Sequence, residues 1–227
     1  MDLFPLWNSL RIAGAATCLT FFLGIFAACW VCHLPRSLKG ICDVILTIPM
    51  VLPPTVVGFF LLQLLSPKDG LGAWLLSCFN IRIIMTWPAA IFAVVVVTFP
   101  LMYRTARGAF EAFDPNILDA ARTLGLPGPY IFWRILLPGC KQGIFSGVIL
   151  AFARGLGEYG ATSMVSGYTP GRTATIATTV YQLWREGDTA LAYRWVFINL
   201  AISFCVLMAV NLLDRKRGKL YGNLSGY

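Results

Sequence analysis

Arg154 and Glu158 are two opposite charges within a run of otherwise apolar sequence. Because they stand four residues apart, a helix places both side chains on one face, where each charge can neutralise the other. Charged groups inside apolar segments face other helices or a watery path rather than lipid. The pair is therefore interpreted either as a structural ion pair between packed helices or as part of an anion path, in which Arg154 attracts the anion and Glu158 limits its retention.

A second group that could do chemistry is Cys29-x-x-Cys32, which His33 follows directly. Tetrahedral zinc sites need four ligands, and the remaining cysteines form no second pair at ligand spacing. Most cysteines lie inside apolar runs, where a thiol behaves as a small buried hydrophobic group. We therefore predict no metal site, no catalytic residue and no bound cofactor in this chain.

The third candidate is the polar, proline-punctuated stretch from Asp119 to Pro138, together with the residues that introduce it. Asp114-Pro115 predicts a helix start, because Asp can cap a helix and Pro fits its first turn. Asn116 to Leu124 is then expected to form a short amphipathic helix, which Gly125 ends in the left-handed conformation. After a proline-rich turn, a second short helix is predicted from Tyr130 to Leu137.

Ala120 and Ala121 lie within the first of these helices, and their small side chains let another protein approach the backbone closely. A plain connector between two membrane spans is the alternative interpretation of such a stretch. The predicted order of elements, a short helix, a fixed turn and a second short helix, favours a docking surface.

The composition indicates what must position these groups. Hydrophobic residues make up 58% of the 227 residues, charged residues only 12%, and the mean hydropathy is +0.73. Such a chain is an integral membrane protein rather than a soluble domain. Because each span needs roughly 20 apolar residues, there is room for five or six transmembrane helices and none for a separate soluble enzyme domain.

We predict an all-α integral membrane protein with one transmembrane domain over residues 1–227. The predicted spans cover residues 10–34, 43–66, 83–106, 141–165 and 194–213. Pro53 and Pro54 interrupt the second span, and their missing backbone donors predict a bend that either shapes the helix or forms a gate beside a watery path. The uncharged stretch 173–184 is too short to cross and is predicted to be re-entrant or interfacial.

The net charge of +8 is distributed unevenly among the segments between the spans. Lys and Arg concentrate in residues 33–40, in 104–141 and after 213, where they set orientation rather than bind nucleic acid. The positive-inside rule places these segments in the cytoplasm. We therefore predict an external N-terminus, a cytoplasmic C-terminus and a cytoplasmic loop over residues 107–140.

The motif in this loop resembles a known family signature. Asp119-Ala120-Ala121, three residues, Gly125, nine residues and Ile135-x-Leu137-Pro138 resembles the EAA loop of ABC importer permeases, with Asp119 in place of that family's Glu. The resemblance implies a type I ABC importer permease fold, whose loop forms a coupling helix seated in a cleft of the ATP-hydrolysing subunit. The residues that it implies for ATPase docking are Asp119, Ala120, Ala121, Arg122, Gly125, Ile135, Leu137 and Pro138.

Three further stretches, Met50–Phe60, Gly155–Met164 and 170–173, are similar to permeases of the molybdate transporter type, a group that includes sulfate and tungstate permeases. The resemblance implies a homodimer with two ATPase subunits in the cytoplasmic (inner) membrane of a bacterium or archaeon, and an external binding protein that delivers the oxyanion. Molybdate is the expected cargo, with sulfate or tungstate as alternatives. ATP and Mg²⁺ would be bound by the ATPase partner, because the sequence has no GxxxxGKS or GxxxxGKT motif.

Two different classes of function remain as alternatives. An ion-coupled secondary carrier would need no ATPase partner. An intramembrane enzyme would use Glu158, His33 or the cysteines, but no second carboxylate or metal-ligand set shares a span with the single histidine. Oxyanion transport by the purified chain in vesicles that lack an ATPase would favour the carrier.

Overall fold

The structure is a computed structural model that describes residues 2–68 and 70–222, with side chains as far as Met208. All regular secondary structure in these residues is helical, which confirms the predicted all-α class. We number the helices α1 (Phe4–Cys32), α2 (Arg36–Val51), α3 (Pro54–Leu64), α4 (Gly70–Phe79), α5 (Trp87–Glu111), α6 (Pro115–Thr123), α7 (Gly128–Gly139), α8 (Lys141–Leu156), α9 (Gly160–Ser166), α10 (Ile176–Glu186) and α11 (Thr189–Gly222).

The centre of the protein is formed by α1, α5 and α8. Gly24 of α1 and Gly147 of α8 both pack on Met102 of α5, so small residues let three helices approach closely at one level. Further along α8, Gly155 lies against Val94, nearer the start of α5. α8 is therefore antiparallel to α5, whereas α1 and α5 run parallel.

The proline-interrupted second span is sharply bent. α2 ends at Val51, Leu52 and Pro53 take extended backbone angles, and the axis of α3 lies 105° from that of α2. The bend is at the predicted position because neither Pro53 nor Pro54 can donate a hydrogen bond to a carbonyl one turn back. Pro49 lies inside α2 without ending it. This part of the chain thus forms two helices rather than one kinked helix.

The second helix of the predicted cytoplasmic loop is longer than Tyr130–Leu137, because α7 continues to Gly139 and then turns 72° into α8. The helix thus ends one residue beyond Pro138. Pro138 cannot donate to the carbonyl of Arg134, and residues Phe132–Leu136 adopt a wider π-helical turn. The wider turn accommodates the proline without ending the helix.

The predicted fourth span, 141–165, is broken in two. Residues 157–159 leave the helical path between α8 and α9. After α9, Gly167 and Gly171 take left-handed backbone angles, with φ of 63° and 70°, and so permit a compact turn. Thr175 then begins α10 through a reciprocal capping box.

The short helix α10 begins within the stretch 173–184, which the sequence predicts to be re-entrant or interfacial, and extends two residues beyond it. Its start is hydrogen-bonded to α1. Asn8 Nδ2 donates a hydrogen bond to the carbonyl of Ala174 at 2.9 Å, and the Ile176 amide donates to Ser9 Oγ at 2.8 Å. These buried polar contacts fix the turn before α10 on the N-terminal part of α1.

Three helices are long and apolar enough to cross a membrane: α1, α5 and α11 between Thr189 and Met208. The bent pairs α2–α3 and α7–α8 add two more spans if each pair crosses once. The described helices therefore supply three to five candidate spans, a range that includes the five predicted from the sequence.

Candidate functional site

The segment from α6 to α7, which we call the coupling segment (residues 114–139), has a rigidly defined start and turn. Asp114 caps α6, because its side chain accepts a hydrogen bond from the Asn116 amide at 2.9 Å. Gly125 has a φ of 74°, and the Leu126 amide donates to the carbonyl of Ala121 at 3.2 Å. The structure thus contains both the predicted cap and the predicted left-handed residue.

The outer face of α6 carries apolar side chains that nothing in the described chain covers. Leu124 is 79% exposed and Ile117 is 47% exposed, and Ala120 is exposed beside them. Ala121 is only 5% exposed and faces the chain itself. The expectation that both alanines face a partner is therefore corrected: Ala121 lets α6 pack on its own chain, and Ala120 lies on the outer face.

Asp119 and Arg122 form an ion pair at 2.7 Å on the exposed surface of α6. Both side chains are more than half exposed, and an ion pair of this kind contributes roughly 0–1 kcal/mol to stability. Its charges are thus available to a partner at little cost to the fold.

The helix α7 anchors the coupling segment to the end of α5. The Phe132 ring packs edge-on against Phe110, with ring centroids 6.2 Å apart, and Cys140 Sγ lies 3.2 Å from the carbonyl oxygen of Ala109. The other predicted docking residues lie in α7: Ile135 and Leu137 are half-buried, and Pro138 is exposed. A displacement of the coupling segment would therefore be transmitted to α5.

A charged cluster next to this anchor joins α2 to α5. Arg107 pairs with Asp43 and with Glu111, the latter at 3.1 Å, and Lys39 pairs with Glu111 at 2.6 Å. The sequence predicts only an orienting role for the basic residues of 33–40 and 104–141, which include Lys39 and Arg107, and does not predict this cluster. The spacing of four residues between Arg107 and Glu111 is the one signal that could have indicated it.

The predicted break at Pro53-Pro54 and the break after α8, which the sequence did not predict, lie against one another. A Cβ atom on Gly160, at the start of α9, would lie 2.9 Å from Pro54 Cβ and 3.0 Å from the Thr55 nitrogen. Gly58 of α3 packs equally closely on the backbone of Ala161. The Pro53-Pro54 bend and the break after α8 thus form one structural unit, although they are about a hundred residues apart in sequence.

Arg154 and Glu158 form the predicted ion pair, with Arg154 Nη1 2.7 Å from Glu158 Oε2. Glu158 is 3% exposed, and its Oε1 accepts a hydrogen bond from the Ala161 amide at 2.8 Å. A carboxylate at this position is favoured by the dipole of α9. The Arg154 side chain is about one-third exposed. Glu158 is thus committed to the fold, whereas part of the Arg154 side chain remains accessible.

Within the described residues, no three His, Cys, Asp or Glu side chains converge on a point where a metal ion could bind. Cys29 and His33 contact each other locally, because His33 Nδ1 lies 2.7 Å from the Cys29 carbonyl oxygen one turn earlier in the chain.

Comparison with known proteins gives consistent relatives. Residues 20–219 match the family described as "Binding-protein-dependent transport system inner membrane component". The molybdenum transport system permease protein ModB of Escherichia coli is 37% identical over 219 residues, covering 93% of this chain and 94% of that protein. The sulfate transport system permease protein CysW of Synechocystis is 32% identical over 174 residues, covering 77% of this chain and 63% of that protein.

Solved structures of ABC transporters share the fold. The MetNI methionine ABC transporter, in inward-facing conformations, superposes with a TM-score of 0.72 at 14% identity, covering 93% of this chain and 94% of that chain. A bacterial alginate ABC transporter superposes with a TM-score of 0.77 at 18% identity, covering 94% of this chain and 78% of that chain. The predicted type I importer permease fold is thereby confirmed.

The matched family comprises transport components of the inner membrane, so the chain is a transport subunit rather than an enzyme. The chain belongs to the family of binding-protein-dependent transport system inner membrane components.

Proposed function

We propose that this chain is the permease subunit of an ATP-driven importer that translocates a tetrahedral oxyanion, with molybdate as the cargo. The observation that carries the proposal is the 37% identity to a molybdenum transport permease over nearly the full length of both chains. A sulfate permease matches less of this chain and at lower identity, which makes sulfate the second candidate. Tungstate shares the charge and shape of molybdate and is a further alternative.

The coupling segment is the proposed docking site of the ATPase subunit. The exposed apolar Ile117 and Leu124, together with Ala120, form a surface that a cleft in a partner could cover. Asp119 and Arg122 supply polar contacts at its edge, and Gly125 fixes the turn. The proposed role of Ala121, Ile135, Leu137 and Pro138 is to hold this surface in position.

The two packed helix breaks are the proposed site of the translocation path. A loss of helical backbone at membrane depth is tolerated where it is buried in protein or lines a watery cavity. In this proposal Glu158 holds Arg154 in position, and the exposed part of the Arg154 guanidinium attracts the passing anion. Pro53 and Pro54 set the bend against which this region closes.

The proposed assembly contains two copies of this chain, two ATP-binding cassette subunits that bind ATP and Mg²⁺, and an external binding protein. The family name supports dependence on a binding protein, and the lack of a phosphate-binding loop in the sequence supports a separate ATPase. The proposed orientation has the N-terminus outside and the coupling segment in the cytoplasm of a bacterium or archaeon. ATP binding would then move the coupling segment and α5 as a rigid unit.

The test is uptake into vesicles that contain this chain and its ATPase, with oxyanion-loaded binding protein supplied on the outer side. We expect ATP-dependent uptake of molybdate, and we expect omission of either partner to abolish it. Uptake without the ATPase would instead indicate a secondary carrier. Uptake of sulfate but not molybdate would overturn the cargo assignment and leave the importer function intact.

A further inference from the structure

A cavity of about 830 Å³ opens at the end of the molecule opposite the coupling segment. It lies between the first turns of α1, residues 81–88 before and at the start of α5, and the turn at Gly171–Thr173. The 25 residues of α5 separate this end from the coupling segment by about 35–40 Å at 1.5 Å per residue. We call it the arginine cavity, because Arg11, Arg82 and Arg172 all line it.

These arginines take part in no ion pair in the part of the chain that the structure describes. Arg82 and Arg172 donate no side-chain hydrogen bond to a described residue. Arg11 lies over the ring of Trp87, with 4.0 Å between the guanidinium carbon and the ring centroid. A guanidinium stacked in this way keeps its N–H donors free at the edge.

The backbone at Arg172 is held in place by hydrogen bonds within its turn. The amides of Arg172 and Thr173 both donate to the carbonyl of Thr169, at 3.1 and 3.0 Å, and the Thr169 amide donates to Thr173 Oγ1 at 3.0 Å. On the opposite wall, the Met85 amide donates to the carbonyl of Val165 at 3.0 Å. Fixed supports lower the conformational cost of bringing several donors to one ligand.

Arg11, Arg82 and Arg172 are exposed, and their like charges favour an anion in the cavity that they line. Guanidinium groups present planar pairs of N–H donors, which match the oxygen edges of a tetrahedral anion. The cavity lies at the end of the molecule from which the proposed importer would receive its cargo.

We propose that the arginine cavity binds a tetrahedral oxyanion at the mouth of the transport path, before the cargo reaches Arg154. This inference rests on the proposed function. The phosphate group of a lipid headgroup has the same chemistry, so the experiment must distinguish free oxyanion from lipid.

The test uses the permease–ATPase complex in lipid nanodiscs of phosphatidylcholine, without the binding protein, and measures equilibrium binding of radiolabelled molybdate or sulfate. The test variant is Arg82→Gln with Arg172→Gln. The matched control is Arg185→Gln with Arg194→Gln, which removes two exposed arginines predicted to lie on the same side of the membrane but outside the cavity. Thermal unfolding of all complexes establishes that they are equally folded.

We expect the control to bind as the unmodified complex does, and the test variant to bind at least tenfold more weakly at an unchanged unfolding temperature. Equal affinity in the two variants, or no measurable binding of either oxyanion by the unmodified complex, would overturn the proposal. In nanodiscs that also contain phosphatidylglycerol, native mass spectrometry reports retained lipid. The cavity would be a lipid site if the unmodified complex retains phosphatidylglycerol, the test variant does not, and molybdate cannot displace the lipid. That result would overturn the proposed oxyanion site.

Uptake by the unmodified importer separates the two proposals. If the vesicles accumulate oxyanion in an ATP-dependent manner but the test variant binds it normally, only the arginine cavity is rejected. If no oxyanion is accumulated with any binding protein, the proposed function itself fails.

Discussion

Glu158 shows how a carboxylate is held inside an apolar part of this chain. One oxygen accepts the Ala161 amide at the start of α9, and the other lies 2.7 Å from Arg154 Nη1. A buried carboxylate without both partners would be costly, because burial removes its hydration. Both contacts are local in sequence, so the charge also fixes where the helix resumes after the break.

Two replacements of Glu158 should distinguish the contributions of these two contacts to stability. Glu158→Gln keeps an oxygen that can accept the Ala161 amide but loses the charge, and we expect a loss of about 1–2 kcal/mol. Glu158→Ala loses both contacts and should cost about 2–4 kcal/mol. Thermal unfolding of the permease–ATPase complex can be followed by tryptophan fluorescence. The unfolding temperature should be highest for the unmodified protein, lower for Glu158→Gln and lowest for Glu158→Ala. Equal unfolding temperatures for the two variants would show that the hydrogen bond from the Ala161 amide contributes nothing to stability.

Among the elements, α3 and α9 are packed closely enough that neither Gly160 nor Gly58 has room for a side chain. Gly160 packs on the backbone of Pro54 and Thr55, where a methyl group would lie 2.9–3.2 Å from three atoms. Because two of these atoms belong to the backbone, a side-chain rotation cannot relieve the contact. The position of α9 is therefore coupled directly to the proline bend.

Gly160→Ala should force α3 and α9 apart. We expect an unfolding temperature lower by several degrees, corresponding to about 1–3 kcal/mol of overpacking, and slower oxyanion uptake. Gly157→Ala is the matched control, since nothing lies within 4 Å of a Cβ at that position. If Gly160→Ala leaves the unfolding temperature unchanged, as Gly157→Ala is expected to do, the two breaks are not tightly coupled.

The element that the ATPase is proposed to cover is α6. Leu124 directly follows α6 and is 79% exposed. Leu124→Asp places a charge at this position and should weaken ATPase binding at least tenfold while the permease unfolds at the same temperature. Asn116→Asp is the control, because it adds the same charge to the first turn of α6, where the helix dipole favours it. Binding of the purified ATPase to permease in nanodiscs measures both. Unimpaired binding by the Leu124 variant would contradict docking on this face.

On the scale of the whole molecule, two differently charged regions lie at opposite ends of α5. The paired cluster of Lys39, Asp43, Arg107 and Glu111 joins α2 to α5 at the coupling end. At the other end the arginines of the cavity are unpaired within the described residues. This arrangement suits a transporter in which an anion enters at one end and the ATPase docks at the other.

The predicted orientation can be tested in intact cells with a membrane-impermeant maleimide, in a background without native cysteines. Pro170→Cys lies in the exposed turn beside the arginine cavity and should react from outside. Asn116→Cys, exposed on α6, should react only after the membrane is permeabilised. The reverse pattern would invert the topology derived from the positive-inside rule.

Local sequence determined the features that depend on a few neighbouring residues. The long apolar runs required helical membrane spans, because an uninterrupted run of roughly 20 apolar residues satisfies its backbone hydrogen bonds within lipid as a helix. Asp114 caps α6, Gly125 forms the turn after it and Arg154 pairs with Glu158, because each of these interactions joins residues at most five positions apart. The proline pair bends the chain for the same local reason.

Only the tertiary structure decided which distant residues meet. The direction in which Ala121 faces depends on the packing of α6 against its own chain, and the continuation of α7 through Pro138 depends on a shift in hydrogen-bond register. The contact of Gly160 with Pro54, and the cavity shared by arginines from α1, the 81–88 segment and the 171–173 turn, join parts of the chain that no periodicity relates. Such contacts arise when helices pack, and packing depends on the shapes of whole surfaces rather than on spacing along one segment.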